Sequence, residues 1–392
     1  MNHVRWALPI IVLAEVLGTS LWFCGTAALD ELTPLWSLDA AQRGSLLTVV
    51  QIGFIVGTLV LSMTGLADAF AASRVFAVSA LIGAVANLGF AWLSRDMTEA
   101  LLWRAATGIA LAGIYPLGMK LVVTWMPTRT GEALGWLVGS VALGTSLPFL
   151  LRALGGVGHW QIVASFASAF ALLAAMLVLL LGDGPAARAP ARRFDPRAGL
   201  RSFRHPDFRA SALGYFGHMW ELYAFWSMVP FLVGWITSDL QARAWWTFAI
   251  IASGAIGNVV GGWLSRKYGS GLVAVAALSL SGLMCLLGPW MPALPIWLVM
   301  ILLITWGLSA PADSPQFSAL SARACPPEAV GSSLALQNAI GFSVTVVSIQ
   351  LTASLVDSCS SWISWLWLPG PILGVWWMRR LMRIAPTSSN VP

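Results

Sequence analysis

The sequence predicts an all-α membrane protein of twelve transmembrane helices, arranged as two six-helix bundles. Three observations carry that prediction. Of 392 residues, 58% are hydrophobic and only 10% are charged, against about a quarter charged in a soluble globular chain. Apolar runs of about 20 residues recur along the chain, the length that crosses ~30 Å of hydrocarbon at ~1.5 Å per residue. The first six runs then repeat in the second six. A surface this apolar, with a mean hydropathy of +0.79, cannot be kept in water. Disorder, a secreted disulfide scaffold and nucleic-acid binding are excluded together.

The runs fall at 7–29, 44–65, 74–94, 99–122, 131–152 and 160–182, and then at 210–234, 244–264, 271–290, 295–318, 330–355 and 361–379. Between the two sets lies a Pro-, Ala- and Arg-rich stretch without apolar periodicity. The expected organisation is a first bundle over 1–182, a cytoplasmic linker over 183–209 and a second bundle over 210–392. The linker reads as a solvated tether whose arginines meet anionic headgroups. Arg5 precedes the first run, but that run is too long for a signal peptide and carries Glu15 in its middle. Leu21, Trp22 and Phe23 before Cys24 are too large for a lipoprotein cleavage site, so span 1 is read as retained. The four cysteines, two in spans and two in loops on opposite sides, read as reduced thiols.

Basic residues set the orientation. With the N-terminus inside, 16 of the 22 Lys and Arg lie in inner segments and four (Arg43, Arg95, Arg152 and Arg243) lie outside. Both termini are therefore expected in the cytoplasm, in a bacterial inner membrane, with the lipid bilayer as the chain's surroundings. A shift of 198 residues lays Trp22 on Trp220, and one of 199 lays Pro116 on Pro315. A unit repeated in the same orientation places its substrate near the midplane, at the interface of the repeats.

In the 2–3 loop, Thr64-Gly65-Leu66-Ala67-Asp68-Ala69-Phe70-Ala71 keeps the Leu and Asp of the pattern Gly-x-Leu-Ala/Ser-Asp-Arg-x-Gly-Arg. Gly262-Trp263-Leu264-Ser265-Arg266-Lys267-Tyr268-Gly269 fits it in the second half, with Arg266 in place of the Asp. Arg104-Ala-Ala-Thr-Gly108 matches an Arg-x-x-x-Gly element. With these motifs the chain resembles the major facilitator superfamily over essentially its whole length. Gly113-Ile-Tyr-Pro-Leu-Gly-Met-Lys120 and Trp125-Met-Pro127 are similar in style to nitrate/nitrite or cyanate porters. The resemblance implies a secondary transporter, working as a monomer by alternating access without a cofactor, whose cavity is lined by spans 1, 4, 7 and 10. It further implies an inner latch from Asp68, with Arg129 as its partner, and the Arg266/Lys267 loop.

A charge at mid-bilayer is costly, so ionisable groups inside spans are functional candidates. Five occur: Glu15, Arg104, Lys120, Glu221 and Asp313. All fall on the four spans that the resemblance assigns to the cavity. Glu15, and His218 with Glu221 three residues on, are candidates to carry a coupling proton; a structural hydrogen-bonded pair is the alternative. Two roles fit Arg104, a fork for an anionic substrate or a brace between helices. Lys120 either meets the ligand or snorkels to the inner face. Asp313, just before Ser314-Pro315, marks a broken helix at binding depth, and pairing with Lys120 would make it an inner gate. Gln316 and Asn338 add hydrogen-bonding capacity. Trp22 and Trp220, facing each other with Tyr115 and Tyr223, form a candidate stacking surface. Gly131, Gly135 and Gly139 in span 5 are spaced for close helix approach.

The expected function is secondary transport of a small solute, anionic if Arg104 and Lys120 bind it, with protons as the coupling ion. Drug or metabolite efflux by proton antiport is the first alternative, although span 5 lacks the Gly-Pro pair usual in antiporters of the superfamily. A lipid-modifying enzyme or a transporter-like sensor are the others. Four histidines, one of them in a span, offer neither a metal site nor an enzyme centre, and no Walker loop is present to power a pump.

Overall fold

A computed structural model of the chain describes residues 2–127, 130–186, 195–326 and 329–383. All regular structure among these residues is helical, and ten segments are long and apolar enough to cross a membrane. The last of them, Val330–Met378, turns back at Ser360, whose φ of 49° ends helix Val330–Cys359. It provides spans 11 and 12. Helix Pro206–Val233 is span 7 and completes twelve passes. It falls outside the ten because polar residues in its middle, His218 and Glu221 among them, lower its hydropathy.

The other passes are span 1 (Asn2–Thr19 and Cys24–Leu35), span 2 (Ala40–Thr64), span 3 (Ala72–Leu93), span 4 (Met97–Leu111 and Tyr115–Trp125), span 5 (Thr130–Leu151) and span 6 (Trp160–Leu181). In the second half, span 8 is Leu240–Tyr268, span 9 Ser270–Leu287, and span 10 Ile296–Ser309 with Ser314–Ala324. The halves punctuate alike. Asp39 caps span 2 by accepting from Gln42 N, and Asp239 caps span 8 by accepting from Gln241 N and Ala242 N. Both spans end at a glycine of positive φ, Gly65 at 69° and Gly269 at 83°.

Close helix crossings are not confined to span 5, where a Cβ on Gly144 would strike the carbonyl of Val16 in span 1. A Cβ on Gly108 would strike the carbonyl of Val50, and one on Gly53 the carbonyl of Ala105, so spans 2 and 4 touch backbone to backbone. Spans 8 and 10 repeat this through Gly257 and Gly307. In span 5, Gly139 meets Ala255 O at 3.2 Å, whereas Gly135 faces open space. Gly108→Val should force these backbones apart and destabilise the chain by about 1–3 kcal/mol, read as a lower melting temperature in detergent. A Gly135→Val control should melt as the parent does.

The linker is more than a tether where the structure describes it. Asp183 accepts hydrogen bonds from Ala72 N and Ser73 N at 2.9 and 2.8 Å, capping span 3. Helix Pro196–Ser202 lies on span 11, with Ser202 Oγ 2.7 Å from Ser333 Oγ. Arg188, Arg192 and Arg193 lie outside the described residues.

Candidate functional site

Three of the four proposed cavity spans are broken near their middles. In span 4 the backbone tightens over 112–114, where Gly113 N and Ile114 N donate to Ala110 O and Leu111 O, three residues back. Span 10 does the same over 310–313, with Ala312 N donating to Ser309 O and Ser314 N to Pro311 O. Pro116 and Pro315 each stand in the first turn of the helix that resumes, where a missing N–H costs nothing. Span 1 breaks over Ser20–Phe23 without a proline. Its freed carbonyls are met by Arg104, which donates to Leu21 O at 3.0 Å, Trp22 O at 2.6 Å and Asn87 Oδ1 at 2.8 Å. Arg104 is fully buried and in this geometry braces the break.

Glu15 is fully buried and neither carboxyl oxygen has a hydrogen-bond partner. It lies against Gly118 of span 4, where any Cβ would collide with Oε2. His218 and Glu221, expected as one pair, face different partners. His218 Nδ1 lies 2.7 Å from Asp313 Oδ1, and its Nε2 lies 2.7 Å from Ser314 Oγ. Glu221 accepts from Trp306 Nε1 at 2.7 Å and Ser281 Oγ at 2.9 Å, with Cys285 Sγ at 3.5 Å. All three ionisable groups are at most 2% exposed. Asp313 therefore faces His218 and not Lys120. The lysine ammonium donates at 2.5 Å to Ala67 O in the 2–3 loop of its own half.

Aromatic rings from both halves meet at the centre. Trp22 lies 5.1 Å from Phe54, 5.6 Å from Tyr223 and 5.8 Å from Phe342, and Phe54 and Phe342 are 4.5 Å apart. Trp220 does not face Trp22. Its Nε1 donates to Leu366 O at 2.8 Å, because position 220 turns toward span 12 and position 223 takes the central place. On the side of the rings nearer the termini, a cleft of about 70 Å³ is lined by Tyr115, Tyr215, Tyr223, Trp226, Asn258, Ser314, Ser318, Asn338 and Phe342, with methionine and aliphatic side chains between them. No charged side chain lines it. Gln316 is buried and belongs to the wall of another groove. The Asp68 side chain and Arg129 lie outside the described residues, so their pairing is left there; Arg266 and Lys267 end span 8 as exposed residues.

Hydrogen bonds between the halves, among the described residues, gather on the face away from the termini. Arg43 of span 2 pairs with Asp357 of span 11, Gln350 Nε2 donates to Thr48 Oγ1 at 2.9 Å, and Gln241 Nε2 donates to Ala153 O at 2.9 Å. The Arg43 and Asp357 side chains are 28% and 61% exposed, so the pair is worth roughly 0.2–1 kcal/mol. Asp357→Asn should therefore raise the labelling rate of a cysteine placed at Thr33, in the vestibule behind this pair, by no more than about five-fold.

Several members of this arrangement were invisible from the sequence. Trp306, Ser281 and Cys285 are ordinary span residues, and only folding brings them to Glu221. Phe54, Trp226 and Phe342 carry no signal beyond aromaticity. Asn87 did carry one, as an isolated amide in the apolar run of span 3.

A family model described as Major Facilitator Superfamily matches residues 5–234. A Haemophilus influenzae protein named for metabolite transport is 31% identical over 132 residues, 32% of this chain and 32% of that protein. The match spans about a third of that curated relative's length. Among solved structures, a D-xylose-proton symporter superposes with a TM-score of 0.80 at 14% identity, over 96% of this chain and 98% of that one. The xylose transporter XylE from E. coli, partially occluded and inward open, gives 0.78 at 12% identity over 100% of both chains. A bacterial homologue of the human lysosomal transporter Spinster, inward-facing and unoccupied, gives 0.67 at 15% identity over 96% and 94%.

Proposed function

This chain belongs to the Major Facilitator Superfamily, and from that premise we propose that it moves a small, uncharged, hydrogen-bonding solute across the membrane by alternating access, coupled to protons. The observation that carries this reading is the lining of the central cleft, where three tyrosines, two asparagines and two serines stand among aromatic rings and no charged residue appears. Such a wall suits a polyhydroxylated molecule, with rings to stack on its apolar face and amides and hydroxyls to meet its hydroxyl groups. The anionic alternative rested on Arg104 and Lys120. Neither lines the cleft, and Arg104 already serves three acceptors. The xylose transport named for two structural neighbours agrees with an uncharged cargo.

The proton function is assigned to His218 with Asp313, and to Glu15. Ser314 touches His218 and also lines the cleft, so a solute arriving there meets the dyad through one hydroxyl. Glu15 is a second carboxyl, in the other half, with unsatisfied oxygens. With both termini in the cytoplasm of a bacterial inner membrane, the face closed by Arg43 and Asp357 would be periplasmic. The cleft of about 70 Å³ has room for only a few waters, so loading requires the halves to part on the terminal side. The chain is assigned to act as a monomer, its six-helix units 1–182 and 210–392 rocking about the linker.

The test is a proteoliposome screen with an internal pH dye. Neutral pentoses, hexoses and polyols are added in turn, then nitrate, cyanate and organic anions. Proton entry with a neutral solute and none with the anions is expected; entry driven by an anion alone would overturn the assignment of an uncharged cargo.

A further inference from the structure

The vestibule behind Arg43 and Asp357 has a volume of about 320 Å³, at the lower end of the ~300–1,000 Å³ usual for small-molecule sites. Both halves build it: Leu29, Asp30 and Leu47 come from the first, and Ser227, Phe231 and Arg243 from the second. It lies across the central aromatic rings from the cleft, since Thr26 follows Trp22 along span 1 and Ser227 follows Tyr223 along span 7. Among the described lining residues four are charged, and three of them are matched. Arg43 pairs with Asp357, and Asp30 lies 3.2 Å from Arg152. Glu31, the other acid on Arg152, also accepts from Gly158 N and Trp160 N. The guanidinium of Arg243 makes no ion pair or hydrogen bond with a described residue, and its Nε is buried. Ser227, 4% exposed, likewise has a hydroxyl without a partner.

We propose that the vestibule binds a small amphipathic carboxylic acid as its anion, the carboxylate on Arg243 and Ser227 and the apolar body against Leu29, Met228 and Phe231. A single unmatched cation calls for a monoanion. The planar guanidinium offers a carboxylate two parallel donors, and a buried polar group left unpaired costs about 1–3 kcal/mol that such a ligand relieves. The Phe231 ring suits a flat aromatic body. An inorganic anion would meet the arginine and leave the apolar wall uncovered. Because the two halves share the wall, the acid fits only while they stand together on this face, and its binding favours that arrangement. On the alternating access proposed above, it therefore restrains opening on this face and is not cargo.

Full-length protein in detergent is titrated with para-fluorobenzoate and followed by fluorine NMR, with empty micelles as the blank. Para-fluorobenzamide serves as the uncharged counterpart of the same shape. Saturable broadening by the acid is expected, about ten-fold tighter than by the amide. Arg243→Gln should weaken the acid about ten-fold and Ser227→Ala about three-fold, with Arg243→Lys recovering part of the loss. A cysteine placed at Thr33, on the same wall, should lose most of its maleimide labelling when the acid is present. That chain carries Cys359→Ser, since the other three cysteines are buried. None of these measurements requires transport, so a wrong assignment of the cargo leaves their outcomes unchanged. Broadening that does not saturate, equal affinity for the amide, or a titration that Arg243→Gln leaves unaltered would each overturn the proposal. So would displacement of the acid by chloride at equal concentration, which identifies a site for inorganic anions instead.

Discussion

Asp313→Asn is expected to abolish uphill uptake while leaving solute exchange intact. The Asp313 carboxylate lies 2.7 Å from His218 Nδ1, and both groups are 1% exposed. A charge at that depth is tolerated only with a partner, and in the mechanism proposed above the two side chains act together. The amide has nearly the same shape and still offers a polar contact to the ring, but it cannot take up a proton. Net transport driven by a proton gradient requires that step. Counterflow, in which labelled solute enters against unlabelled solute, does not. The variant should therefore accumulate nothing above the external concentration, give no signal from the internal pH dye, and retain counterflow near the parental rate. Glu15→Gln separates the roles of the two halves. It should show the same split, and accumulation at the parental level would remove Glu15 from the coupling mechanism. Accumulation by Asp313→Asn at the parental level would remove the dyad from the coupling mechanism.

Arg104→Met should be the most destabilising single substitution at the site. The side chain is fully buried and supplies the donors for Leu21 O, Trp22 O and Asn87 Oδ1. Methionine fills similar volume and donates nothing. Each acceptor left unpaired in an apolar interior costs about 1–3 kcal/mol, and three are affected together. Arg104→Lys should recover only part of the loss, since one ammonium on a flexible stem cannot reproduce a planar fork serving three acceptors. Thermal melting in detergent with size-exclusion profiles reads both. A variant that melts as the parent does but no longer binds solute would show that Arg104 contacts the cargo instead of holding span 1.

The fold was legible because its causes are local and repeated. Apolar length located the passes but not every turn between them, since spans 11 and 12 form one continuous apolar segment, and span 7 stands out by the polar residues within its apolar run. Pro315 announced the break in span 10, and its repeat counterpart Pro116 stands at the corresponding break in span 4, which was not expected. Span 1 gave no such sign, because its break is stabilised by an arginine 83 residues from Leu21. The site was half legible for the same reason. Rarity in an apolar chain marks Glu15, His218, Glu221 and Asp313 as important. Which of them meet depends on rotation about each helix axis, and sequence spacing within one helix does not fix that. Hence His218 turns to Asp313 while Glu221, three residues on, turns to spans 9 and 10. The register shift that laid Trp22 on Trp220 found the correct helix and missed the facing residue by about one turn.

The polarity that keeps Pro206–Val233 outside the set of apolar spans also bears on how the chain is made. Charged residues at the centre of a helix cost about 2.5–3.5 kcal/mol each during insertion, and span 7 emerges from the ribosome before the residues that satisfy it. Ser281, Trp306 and Asp313 all lie later in the chain. Span 7 should therefore commit to the bilayer only after spans 8 to 10 have been synthesised. A chain truncated after Val233 should leave this segment open to added protease, whereas one extended through Ala324 should protect it. On this view the polar residues of span 7, His218 and Glu221, tie insertion of the second half to its pairing with spans 9 and 10.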